Sequence, residues 1–267
     1  MGEMRCNMYS EYERPKISFA LFYYDEDYER GTSEKVLNSL EKYGFFPPEK
    51  IYIDRMTKGR YVYYKPHMRE MFVDAYSTPG SLSIGMADGN SRKVEELWTF
   101  DWNFTFIKTL MLTKEPRSGT FIPWNVLSLS MTYGRFKDPE ICSNFFSFVK
   151  DVIIDINPFY ARIDDISNGV DIFDAVNEER FEPGRIQQIY WGNYLGPDYC
   201  AKYNVGDGSE IPAHSVEKLG NGVFFTLSDN VLDFESEECV ERRRKIRKHF
   251  DLKMKPEKEH LMRGNFT

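Results

Sequence analysis

Two periods organise the apolar positions of this chain. Alternation of polar and apolar residues predicts strands at 17–24, 50–55, 60–65, 81–86, 125–133 and 159–163. The first of these, ISFALFYY, alternates weakly and then runs apolar, as a strand covered on both faces does. The stretch 125–133, NVLSLSMTY, interleaves serine with apolar groups. Residues 98–112, rich in aromatics and threonine, read mostly as strand, with 104–112 open to a helix.

The longer period marks helices. Thr32 or Ser33 caps a helix whose apolar side is Val36, Leu37, Leu40 and Tyr43, and Gly44 lies where helices end. Pro66 opens a second, with Met68, Met71, Phe72 and Ala75 inward. Asp138 as cap and Pro139 in the first turn start a third over 140–154, with Phe145, Phe148, Val149 and Val152 in a wide apolar stripe; Pro158 stops it. Residues 171–176 suit a helical turn, and a Glu/Arg-rich run leading into 245–252 suits a charged terminal helix.

Strand, helix, strand thus occurs twice, at 17–53 and at 126–163, as an arrangement without a shared motif. The expectation is an α+β fold: a mixed or antiparallel sheet with helices packed on one side, built from two similar strand-helix-strand halves. With no linker between the halves, residues 16–252 read as a single domain, 1–15 as a flexible leader and 253–267 as a tail.

The most distinctive stretch is 185–203, RIQQIYWGNYLGPDYCAKY. Ile186, Ile189, Trp191 and Tyr194 give it strand character. Asn193 to Asp198 then reads as a break and a new start, with Pro197 at the first position of a short helix that stops near Gly206. Gly196 is expected to hold a backbone conformation that a side chain strains. Two short segments follow, 213–218 and 223–227, with Gly220-Asn221-Gly222 as the turn between them.

Composition narrows the function. A formal net charge of −7 argues against nucleic acid as the direct ligand. Four cysteines without a C-x-x-C pair, and no secretory signal, point to free thiols in the cytoplasm. No window reaches the ~18 apolar residues of a membrane span. His67, His214, His249 and His260 are scattered, without metal-ligand spacing. The expectation is therefore no cofactor, no metal, no nucleic acid and no membrane partner.

Candidate chemistry is thin. Phosphate-loop, dinucleotide and nucleophile-elbow motifs do not occur, and 206–209, GDGS, reads as a loop. Asp164-Asp165 with Asp155, and Asp25-Glu26-Asp27, are carboxylate groupings of the kind that strand ends and turns commonly carry. Cys200 with His214 is a conceivable nucleophile pair, though a cysteine inside YCAKY more often fills a small buried position. The basic run 242–249 follows Glu235, Glu237, Glu238 and Glu241, which suits a solvated helix face better than a nucleic-acid surface.

From about Val126 onward the chain resembles the immunity proteins of bacterial polymorphic and type VI secreted toxins, in particular the immunity protein 52 group. The resemblance rests on NVLSLSMTYG, on a long helix ending in NPFYARIDD, on IYWGNYLGPDYCAKYN and on GNGVFFTLSD before a closing helix. It implies a non-enzymatic cytoplasmic protein that neutralises a cognate toxin by binding it, with no catalytic residues. Trp191, Asn193, Tyr194, Gly196 and Pro197 are then a structural motif. Asp25, Glu26, Asp27 and Tyr28, between a strand and a helix, are the expected toxin contacts. The alternative is a hydrolase or transferase acting on a small molecule, with a pocket near Trp191, Asn193 and Tyr194.

Overall fold

A computed structural model describes residues 16–23, 30–53, 57, 60–77, 82–89, 100–109, 124–165, 186 and 188–252. The expected leader and tail, the helical turn at 171–176 and the acidic cluster Asp25 to Tyr28 lie outside them.

The fold is α+β. Among the described residues, ten strands form one antiparallel sheet in the order β3-β2-β4-β5-β6-β1-β7-β8-β10-β9. They are β1 (Lys16–Tyr23), β2 (Lys50–Ile53), β3 (Val62–Tyr63), β4 (Leu82–Gly89), β5 (Phe100–Thr109), β6 (Trp124–Thr132), β7 (Tyr160–Asp165), β8 (Gly192–Leu195), β9 (Ser215–Leu219) and β10 (Gly222–Thr226). The helices are α1 (Arg30–Lys42), α2 (Met68–Ser77), α3 (Tyr133–Phe136), α4 (Pro139–Ile156), α5 (Pro197–Lys202) and α6 (Glu237–His249).

The two halves of the sequence are laced together at the centre of the sheet. β1 pairs only with β6 and β7, both from the second half, while β6 also pairs with β5 from the first. Neither half completes its sheet without a strand of the other.

Register sorts the side chains onto two faces. Ile17, Phe19 and Leu21 point one way with Leu127, Leu129 and Met131, and α1, α2 and α4 cover that face. Phe148 of α4 is fully buried and meets Phe19 edge-on, ring centroids 6.4 Å apart at 88°, and Phe45 at 5.8 Å. Tyr76 of α2 stacks on Phe106 at 4.4 Å. The helix over α4 forms as expected: the Asp138 side chain accepts from the Glu140 and Ile141 N–H groups, and Asn157 closes it in the left-handed region.

The opposite face carries Ser18, Ser128, Ser130 and Asn103 in its middle, all buried, with the Ser130 hydroxyl donating to Ser18 at 2.8 Å. Toward β10 this face is apolar: Phe250, just after α6, packs on Phe225 and Tyr203. A serine on alternate positions of β6 thus marks one face of the sheet, not exposure to water.

Three expectations shift. The strand of the 185–203 stretch is Gly192–Leu195 and not the aromatic run before it. Ile189 and Tyr190 lie outside any strand, because Asn193 turns the chain there. Residues 100–109 are strand throughout, so the helical reading fails for 104–109. Alternation of Trp102, Phe104 and Phe106 onto the helix-covered face explains it. The terminal helix ends at His249 rather than running to 252, because Asp251 takes φ 50°.

Candidate functional site

The site is built where β7, β8 and α6 meet. Asn193 on β8 is buried and faces backward into its own chain: its Oδ1 accepts from the Tyr190 N–H at 3.0 Å and its Nδ2 donates to the Tyr190 carbonyl at 2.9 Å. This clamp turns the chain over Trp191 and Gly192. Trp191 is 2% exposed, and its indole N–H donates to the Ser228 hydroxyl at 2.8 Å. Gly192 leaves room for Ile163, since a Cβ there lies 3.2 Å from the Ile163 Cβ. Tyr194 is fully buried on the side of β8 opposite Asn193.

Gly196 corrects an expectation. Its φ of −70° and ψ of 177° are ordinary extended backbone. What requires glycine is space: a Cβ there falls 2.4 Å from the Pro158 carbonyl and 2.8 Å from the Phe159 Cα. The Gly196 N–H donates to the Phe159 carbonyl at 3.0 Å, which draws the two backbones together. Pro197 then opens α5, as its lack of a backbone donor allows.

Asn193 lies opposite Arg162 of β7. Arg162 is 3% exposed, with its guanidinium carbon 4.5 Å from the centre of the Tyr190 ring. Burial works against its charge, but Tyr190, Asp164 and Tyr160 more than offset that and hold its pKa above the usual value. Burial pushes the Tyr160 hydroxyl well above its ordinary range. Two residues along the same face, Asp164 is pushed up to about 6 by removal from water, with Asp165 adding to it, while Arg162, Arg243 of α6 and the Trp191 N–H pull against it. Arg162 of β7 and Arg243 of α6 thus both act on one carboxyl group without offsetting the cost of its burial.

The other sequence candidates separate. Asp164 and Asp165 point to opposite faces of β7, and Asp165 accepts from the Tyr133 hydroxyl. Cys200 donates its thiol to the Leu195 carbonyl at 3.1 Å, and burial pushes that thiol upward. His214 engages Asp229 at 2.6 Å instead. On α6 the basic run is largely spent within the protein: Arg242 pairs with Glu238, Arg244 and Lys245 with Glu241, and Arg243 donates to the Phe234 carbonyl. In the 206–209 loop, Asp207 accepts from the Ser209 N–H.

Sequence reasoning singled out the 191–197 stretch but missed Arg162, Asp164 and Arg243 as a group. The period-two spacing of Arg162 and Asp164 placed them on one face. Nothing in the sequence placed α6 against that face.

Among the described residues no group of three His, Cys, Asp or Glu side chains could hold a metal ion, and no helix is long and apolar enough to cross a membrane. The arrangement is that of an α+β protein whose distinctive residues lock strands and a helix together.

No family model matches the sequence, and no curated protein does. The fold is similar to that of a solved structure, the Pseudomonas aeruginosa T6SS protein PA0821. The TM-score is 0.63 at 10% identity, over 89% of this chain and 72% of that one. At that identity the likeness is one of fold.

Proposed function

We propose that this chain is an immunity-type protein: it binds a cognate bacterial toxin in the cytoplasm and neutralises it without catalysing a reaction. The observation that carries the reading is the fold shared with a T6SS protein over 89% of the chain. The order of segments from Val126 onward, which resembles the immunity protein 52 group, supports it independently. The burial of Trp191, Asn193 and Tyr194 supports it as well, since side chains at 2% exposure or less serve packing better than a substrate pocket. Co-expression tests it. Cells making the toxin encoded beside this gene survive when this protein is present and die when it is absent. Death in its presence, with the protein folded and abundant, overturns the reading.

A further inference from the structure

The sheet ends on β9, and among the described residues no strand pairs with its outer edge. We infer that this edge, with Ile154 standing beside it, receives an extended segment of the partner protein as an added antiparallel or parallel strand. The inference rests on the immunity reading and names the surface it uses.

The geometry begins at the hairpin. Leu219 pairs with Gly222 across Gly220 and Asn221, and Gly220 has φ 56°, the conformation of a two-residue turn with glycine first. Such a turn closes on a hydrogen-bonded pair. Alternation then commits the backbone groups of Leu219, Glu217 and Ser215 to β10 and turns those of Val216 and Lys218 outward.

A helix flanks this edge. Glu217 pairs with Lys150 of α4 at 2.8 Å, and the Asn221 side chain donates to Asn157 just past α4 at 3.3 Å. Ile154 of α4 is 52% exposed, and a Cβ on Gly220 lies 3.8 Å from its Cα. An apolar side chain is therefore presented at the end of an open strand. α4 also reaches β1, four strands inward of β9, through Phe148 and Phe19.

Charge decides what the edge accepts. A two-fold axis normal to the sheet keeps each residue on its own face, so the register pairing all five residues of β9 with a second copy sets Glu217 against Glu217. Like charges directly opposite oppose that pairing. Lys218 is exposed on the other face and makes no ion pair among the described residues. The complementary segment carries an acidic residue opposite Lys218 and an apolar one beside Ile154.

The test titrates the purified toxin encoded beside this gene, made inactive, into wild type, Lys218→Pro, Lys218→Ala and Ile154→Asp. Proline removes an outward N–H that β10 does not use, so Lys218→Pro keeps the wild-type unfolding midpoint. Expected are losses in affinity of about tenfold or more for Lys218→Pro and Ile154→Asp, and of only about threefold for Lys218→Ala. The Val216 and Lys218 amides, fast to exchange in the free protein, become protected in the complex. Wild-type affinity in Lys218→Pro, with the Val216 and Lys218 amides of the wild-type protein unprotected in its complex, overturns the edge site and leaves the immunity reading standing. Failure of wild type to bind overturns both. Self-association abolished by Lys218→Pro makes the occupant a second copy and overturns the inference.

Discussion

Arg162 lies under the ring of Tyr190, its guanidinium carbon 4.5 Å from the ring centre, and Asn193 opposite Arg162 holds Tyr190 there by both of its backbone groups. The cation is 3% exposed, so the ring replaces part of the water it lost. Replacing Tyr190 by Leu is expected to destabilise by about 1–2 kcal/mol, and by Phe less, since the ring remains. Asn193→Ala leaves two main-chain groups without their partner and costs about 1–3 kcal/mol. Chemical denaturation of the three variants checks the order.

Gly196 tests packing against backbone strain. Gly196→Ala is expected to destabilise clearly, because its Cβ meets the Pro158 carbonyl and the Phe159 backbone. Gly44→Ala is the contrast: it has φ 77° with open space around it, so its cost is backbone strain alone, about 1 kcal/mol. Equal, small losses at both positions contradict the close approach.

Phe148 anchors α4. It is fully buried between Phe19 and Phe45, and Phe148→Ala is expected to cost about 3–5 kcal/mol. Thermal or denaturant unfolding measures it, and a loss below about 1 kcal/mol contradicts the packing.

How much of this was legible follows the range of the forces involved. α4 was readable because its cap, its proline and its apolar stripe are local, and Asp138 and Asn157 act within a few residues. β6 was readable from alternation, and both of its interleaved serines are buried. β8 was displaced because the clamp from Asn193 to Tyr190 outweighs the strand propensity of Ile189 and Tyr190. The meeting of Asp164 with Arg243 joins residues 79 positions apart by number, and only the docking of α6 creates it.

Asp164 predicts a pH dependence. Its folded pKa of about 6 lies above the ordinary carboxylate value near 3.9. The folded state therefore binds the proton more tightly, and this group's contribution is full below about pH 4 and lost as pH rises through about 6. Asp164→Asn removes that loss. The stability of the variant relative to wild type is expected to climb from about pH 4 to 6 and to level above it. A difference that stays flat over that range contradicts the assignment, and urea unfolding across the range reads it.

The central claim is that this chain is a binder with one cognate toxin. Calorimetric titration of the purified protein with an inactivated secreted toxin from a neighbouring gene tests this most directly. The expected result is a saturable isotherm with a dissociation constant on the order of nanomolar, about −12 kcal/mol, alongside toxin activity that falls in proportion to occupancy. Absence of binding at micromolar concentrations, or binding that leaves the toxin fully active, contradicts the account.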